Sequence, residues 1–465
     1  MSALWTLKDI AIATGAHAAR DDAVGGVSID TRTLNQGDLF VALKDARDGH
    51  DFVGDALARG AAAALVSRDV PGVSAERLIK VGDTLKALEA LGRARRAQVG
   101  ARIAAVTGSV GKTSTKEALR HLLSLQGRTH ASAASYNNLW GVPLSLARMP
   151  RDTRFGAFEI GMNHAGEITP LTAQVRPHVA IVTTVAAVHL EHFESVGAIA
   201  DAKGEIFSGL EPGGVAVIYG DSEWAPRLKS HALKAKPSRV ITFGRAPTCD
   251  VRLMSLHLGE ELSELSVSLF GDELRYRIGA PGEHWALNSL GVLAVVSALG
   301  GDAVRAAADM AGLSALAGRG ARQRIVGERG AFELIDESYN ANPLSMAAAI
   351  ANLGRAVPAA GGRRIAVLGD MLELGATAPE LHAGLAKALD EHRIEVVFAS
   401  GPLMHHLWSA IARERRGRYA GASSEIAEAV AAEVKGGDIV MVKGSYGSKM
   451  SIVVEALRRL ARTER

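Results

Sequence analysis

Cysteine is almost missing from this chain: Cys249 stands alone among 465 residues. No disulfide can form within the chain, which fits a reducing compartment. With no Cys/His ligand cluster, a structural zinc site is not expected either. Aromatic residues make up 5% of the sequence, too few for base-stacking surfaces, and no long lysine/arginine block stands in for them. The formal net charge is only +3, which suits an anionic small substrate and gives no case for nucleic acid. The longest apolar stretch, around Leu290 to Leu299, is too short to span a bilayer. The opening MSALWTLKDI has neither a basic start nor a long apolar run, so no signal peptide is expected. These absences predict a cytoplasmic protein without nucleic-acid partners or membrane insertion.

What is present is ordinary globular material. Hydrophobic residues are 48% and charged residues 22%, and the length is too great for one core, so two or three domains are expected. Short strand-like pieces fall at 26–29, 38–43 and 63–66, followed by a helix-like run over 84–98. A second unit follows, with strands predicted from the apolar run at 103–106 and at 157–160, 179–183, 215–219 and 240–243. Helical patterns lie between several of them, which argues for a doubly wound, mostly parallel sheet. Residues 250–280 alternate apolar and polar and read as antiparallel strands added to it. A third unit begins near Gly318, with strands predicted at 332–336, 365–368, 396–399 and 439–442. It is Rossmann-like in layout, but no G-x-G-x-x-G follows a strand, so it is not read as a dinucleotide site.

The most specific local signal is RIAAVTGSVGKTSTKEALRHLL, residues 102–123. An apolar run stops at Thr107-Gly108; Ser109 and Val110 separate Gly108 from Gly111; Lys112, Thr113 and Ser114 follow; then Ala118, Leu122 and Leu125 recur at helical spacing. Strand, glycine loop and helix start make a phosphate cradle: backbone N–H groups close on phosphate oxygens, Lys112 supplies a point charge, and Thr113 offers a hydroxyl to Mg2+. The pattern is the shortened G-x-x-G-K-T-S, since Val106 stands where the longer form needs glycine.

Other residues gain meaning beside that loop. Glu159 ends a predicted strand, the usual edge of a ligand crevice, where a carboxylate could hold Mg2+. His189 follows another strand and could ligate a second metal. Lys203 falls inside an apolar helical stripe formed by Val196, Ile199, Ala200, Ile206, Phe207 and Leu210. Its ammonium either snorkels to the rim, meets a charged ligand, or is converted to a metal-binding carbamate. His284 and Asn288 share one helix face and serve either as caps or as contacts to a nucleotide base. Arg319 sits at a domain junction, able to swing onto a γ-phosphate, and Asp336 leads into the polar run Glu337-Ser338-Tyr339-Asn340, the mark of a binding loop. In the first unit, Thr31-Arg32 suits a diphosphate.

Several motifs in one order resemble the Mur ligase family: DTR with GDLFVAL, TGSVGKTS, YNN with GVPLSL, EIGMNHAGEI, HLEHF, AKGEIF, LIDESYNANP, VLGDMLELG and VKGS. They span nearly the whole chain. EIGMNHAGEI, DESYNANP and GDMLELG look like the branch that adds D-Ala-D-Ala to UDP-N-acetylmuramoyl-tripeptide, and the DNPR motif typical of the branch that adds the third amino acid is absent. The resemblance implies an α/β fold of three domains. Residues 1–98 would be a small substrate domain for the UDP-muramoyl group, 99–317 the central ATP-binding P-loop domain, and 318–465 a C-terminal domain that closes on ATP and binds the dipeptide. It implies a monomeric ligase using ATP and Mg2+ through an acyl phosphate, acting in peptidoglycan biosynthesis. Thr113 and Glu159 match the family's first magnesium site, and His189 and Lys203 its second, where the lysine is carbamylated in several members. His284, Asn288, Arg319, Asp336, Tyr339 and Asn340 match positions around adenine, ribose and phosphate. Thr31, Arg32, Asn137 and Asn138 match the UDP-muramoyl side. Tyr446 stands where many such ligases carry arginine after VKGS, with Lys449 a candidate substitute. A related single-amino-acid ligase and a nucleotide-dependent switch are the competing readings.

Overall fold

The computed structural model describes residues 3–188 and 190–462. Three α/β units follow one another, each built on its own sheet. In the first, strands Val27–Ser28, Leu39–Val41, Ala63–Val66 and Leu78–Lys80 lie parallel in that order. Its last helix, Thr84–Gln98, starts under the Asp83 carboxylate, which accepts from Lys86 N, an N-cap arrangement. That helix presses against the short helix Gly141–Ala147 of the next unit. The approach is close enough that a Cβ on Gly92 would lie 3.0 Å from Pro143 O. Trp5 Nε1 donating to Ala147 O (2.8 Å) and Arg96 donating to Val175 O (2.7 Å) fasten the same junction.

The central sheet has nine strands. From one edge they run Asp272–Ile278, Ser263–Leu269, Val251–Leu258, Arg239–Gly244, Val215–Tyr219, Val179–Val182, Arg102–Thr107, Phe155–Glu159 and Thr129–Ala131. The 250–280 segment does supply antiparallel strands, but its first strand joins the sheet parallel to Arg239–Gly244. Strands buried on both faces need covering on both. The helices Lys112–Ser124 and Glu283–Ala298 cover one face and Ile168–Val175 and Val196–Gly204 the other. After Arg102–Thr107 the chain goes out to the edge strand Thr129–Ala131, returns to Phe155–Glu159 beside Arg102–Thr107, then crosses to Val179–Val182 on the other side. Strand order therefore reverses at the end of Arg102–Thr107, and a crevice opens beyond such a point. The glycine loop occupies it.

In the third unit the order is Ala321–Gly327, Gly330–Glu337, Ile439–Lys443, Arg364–Gly369, Val396–Ser400 and Arg416–Ala420. All neighbours are parallel except the first pair, an antiparallel hairpin. The apolar patterning does not mark the short strands Trp5–Thr6, Ala23–Val24 and Leu78–Lys80, nor Thr129–Ala131, Ala321–Gly327 and Arg416–Ala420 in the two larger sheets. Each of the last three is an edge strand, half-exposed and polar, so its pattern lacks the apolar run that marks a buried strand. No helix among the described residues is long and apolar enough to cross a membrane.

Candidate active site between the central and third units

A cavity of about 820 Å3 lies where the third unit faces the strand ends of the central sheet. The glycine loop forms its floor. Gly108 has φ +151° and packs so tightly that a Cβ there would fall 1.9 Å from Thr183 Oγ1. Gly111 has φ +86° and lies against the Asn288 amide. Only glycine meets both demands without strain. The loop is tied to the next strand end on several sides. Ser109 N donates to Thr184 O (2.8 Å), Ser109 Oγ to Ala186 O (3.1 Å), and Thr183 Oγ1 to Val110 O (2.6 Å). Substituting Gly108→Ala is therefore expected to lower kcat/KM for ATP by about a hundredfold, because displacing the cradle by an ångström misaligns the phosphates. Gly54→Ala, with nothing within 4 Å of the new methyl, should leave ATP turnover unchanged in the same assay.

Lys112 opens the helix and folds back so that Nζ donates to Gly108 O at 2.6 Å. Burial pushes its pKa down; Glu159 opposes that shift and Arg319 adds to it. One residue on, Thr113 Oγ1 donates to Glu159 Oε2 at 2.8 Å, and Asn137 Nδ2 donates to the other carboxylate oxygen at 2.7 Å. Glu159 is 1% exposed. A buried carboxylate beside a hydroxyl is a hard-oxygen set of the kind Mg2+ takes, so Thr113 and Glu159 fit one ion.

Lys203 is buried at 2% exposure in the helix Val196–Gly204, and no hydrogen bond or ion pair to its amine is found among the described residues. Burial, with the charge of Lys112 as a second cause, holds its pKa well below the ordinary lysine value. The helix is held by Asp201, which takes Arg227 at 2.6 and 2.5 Å and His231 at 2.9 Å. His189 lies outside the described residues.

The remaining predicted positions divide. His284, Asn288, Arg319, Tyr339, Asn340 and Asn137 line the cavity. Burial lowers the His284 pKa, favouring a neutral ring. The Arg319 guanidinium lies 4.2 Å from the centre of the Tyr339 ring. Asp336 does not line the cavity. Its carboxylate accepts from Ser338 N and Oγ (3.1 and 2.6 Å) and from Arg458 Nη2 (3.3 Å). Strand alternation hands the cavity to Glu337, which pairs with Lys443 at 3.1 Å. Asn138 is also outside the lining, its Oδ1 accepting from Gly141 N at 2.9 Å at the start of a helix. Thr31 and Arg32 lie on the first unit away from the cavity, with Arg32 paired to Asp30. Lys449 is exposed in a left-handed turn, and Tyr446, 77% exposed, faces Tyr339 with ring centres 5.9 Å apart. Ser135, Trp224, Asn352 and Arg355 also line the cavity, and no local sequence signal pointed to them.

A phosphate loop aimed into an interdomain cleft with a buried carboxylate on its wall suits an ATP-dependent ligase; Lys203 is outside the cavity lining, near enough to Lys112 to feel its charge. The chain matches the Mur ligase family models over residues 23–96 (Mur ligase family, catalytic domain), 106–296 (Mur ligase middle domain) and 321–446 (Mur ligase, glutamate ligase domain). It belongs to the Mur ligase family. Within that family it is similar to the UDP-N-acetylmuramoyl-tripeptide–D-alanyl-D-alanine ligase of Rickettsia prowazekii, at 31% identity over 97% of this chain and 99% of the relative. The ligase of the same name from Escherichia coli K12 is 36% identical over 86% of each chain. Among solved structures, MurF from Acinetobacter baumannii superposes with a TM-score of 0.83 at 27% identity, covering 98% of this chain and 99% of the other. MurF ligase from Thermotoga maritima in complex with ADP superposes with a TM-score of 0.77 at 27% identity, covering 93% and 97%.

Proposed function

We propose that this chain joins D-alanyl-D-alanine to UDP-N-acetylmuramoyl-tripeptide at the expense of ATP, giving the pentapeptide precursor of peptidoglycan, ADP and phosphate. The carrying observation is the convergence of Lys112, Thr113 and Glu159 on one cavity, which the third unit covers. Near-full-length relatives that bear this activity in their names support it. Residues 1–98 hold the UDP-muramoyl group, 99–317 bind ATP, and 318–465 close over it and receive the dipeptide.

The tripeptide's terminal carboxylate is anionic and a poor electrophile. Taking the γ-phosphoryl group of ATP makes it an acyl phosphate; the dipeptide amine then attacks the carbonyl carbon, and phosphate leaves as the amide forms. Lys112 offsets charge between the anionic acid and the anionic phosphate, and the loop N–H groups and helix start hold the phosphates in line. Thr113 and Glu159 would hold one Mg2+, and Lys203 with His189 would serve a second; the metal supplies charge neutralisation at the transferring group. His284, Asn288 and Arg319 orient the nucleotide from the cavity wall.

The test is a product assay with purified protein. ADP is expected to form only when UDP-N-acetylmuramoyl-tripeptide and D-Ala-D-Ala are both present, with the pentapeptide seen by mass spectrometry. Absence of pentapeptide, or equal turnover with a single amino acid in place of the dipeptide, refutes the assignment.

A further inference from the structure

Residues 132–138 cross from strand Thr129–Ala131 to helix Gly141–Ala147 along the cavity rim, and three features hold them. At the near end, the fully buried Lys116 donates from Nζ to Ser132 O (2.7 Å) and Ala134 O (2.9 Å). Lys116 lies one turn beyond Lys112 on the phosphate-loop helix. Ala134 adopts φ +44°, a left-handed conformation unusual for alanine, and its carbonyl is one of the two that Lys116 takes. At the far end, Asn137 donates its amide to Glu159 while its backbone oxygen accepts from Gly161 N at 2.8 Å. Between them, Ser135 Oγ accepts at 2.8 Å from Tyr339 Oη, which belongs to the third unit, and Ser135 O accepts at 2.8 Å from Asn137 N.

A continuous hydrogen-bonded path thus runs from the third unit to the carboxylate that faces Thr113: Tyr339, Ser135, Asn137, Glu159. We propose that residues 132–138 form a strap that senses closure. When the third unit seats, Tyr339 fixes Ser135, and Ser135 holds Asn137 against Glu159. The carboxylate is then aimed only in the closed molecule. Lys116 is the fixed end of the strap, so that restraint applied at Ser135 reaches Asn137 instead of being lost in slack. Tyr339, Ser135 and Lys116 act here as positioning residues. The Arg319 guanidinium on the Tyr339 ring steers the hydroxyl toward the strap. The inference rests on the ligase reading and adds to it a means of withholding chemistry until the domains meet.

The experiment is a double-substitution cycle on the full chain, read together with backbone hydrogen exchange. Tyr339→Phe and Ser135→Ala are each expected to lower kcat about fivefold, the effect of one neutral hydrogen bond, with KM for ATP little changed. The double variant should lose no more than either single one, and Ser135→Thr should retain activity by keeping the hydroxyl. A double variant that loses the product of the two single effects overturns the strap. In wild type, a non-hydrolysable ATP analogue should slow exchange across residues 132–138, and Tyr339→Phe should abolish that slowing. Identical protection in both proteins overturns the proposal. The exchange measurement needs no turnover, so it judges the strap even if the wild-type protein fails to make pentapeptide, the result that would instead refute the ligase reading.

Discussion

Lys112→Met is expected to reduce ligase turnover on the order of 10³-fold, about 4 kcal/mol of transition-state stabilisation, while the protein still folds. The size follows from what the ammonium faces. Phosphoryl transfer to a carboxylate brings two anions together, and Lys112 is the cation that the helix start places at the phosphate loop. Stability should change little. Among the described residues the Lys112 amine donates to Gly108 O alone, at the wall of a cavity where water can replace it. Glu159 keeps both of its other partners, Thr113 and Asn137. Methionine matches the length of the lysine stem and leaves the helix intact. ADP release and thermal unfolding, measured on the same preparation, separate the two effects. Turnover within tenfold of wild type would remove Lys112 from the reaction and with it the assignment of the loop.

Much of this site was legible because its pieces are local. Strand, glycine loop and helix start are contiguous in residues 102–123, and the structure reproduces that order as Arg102–Thr107 followed by Lys112–Ser124. The helix over 84–98 and the strands at 63–66 and 215–219 fall at the same residues in both readings. The burial of Lys203 could be read from the apolar stripe around it. What was not legible depends on distant pairing. Asp336 and Glu337 are adjacent acids, and which one meets the cavity is decided by register, with Glu337 lying beside Lys443 on the neighbouring parallel strand. Ser135 carries no local signal at all; it matters because Tyr339, 204 residues away, reaches it. Lys116 reads as one more polar residue on an amphipathic helix, yet it is completely buried, its amine satisfied by two loop carbonyls and by the Glu117 carboxylate at 2.5 Å.

Lys203→Ala is expected to cost turnover on the order of 10²-fold or more, and small added molecules should decide why. Among the described residues no acid pairs with the Lys203 amine, and burial of the side chain together with the charge of Lys112 holds its pKa well below the ordinary lysine value, which favours the neutral form. A neutral amine can add carbon dioxide and release a proton, becoming a carbamate anion. That conversion would turn repulsion from Lys112 into attraction and provide oxygens for a metal ion. Truncation to alanine leaves room at the helix Val196–Gly204 for a short carboxylate to stand in. If the carbamate is the working group, acetate or propionate should restore part of the activity of Lys203→Ala and ethylamine should not. Lys203→Met, which fills the space without an anion, should respond to neither. If the ammonium itself meets a phosphate, the pattern reverses, with ethylamine rescuing and carboxylates inert. A folded Lys203→Ala protein that neither carboxylates nor amines can rescue would exclude both roles and leave the residue as packing alone.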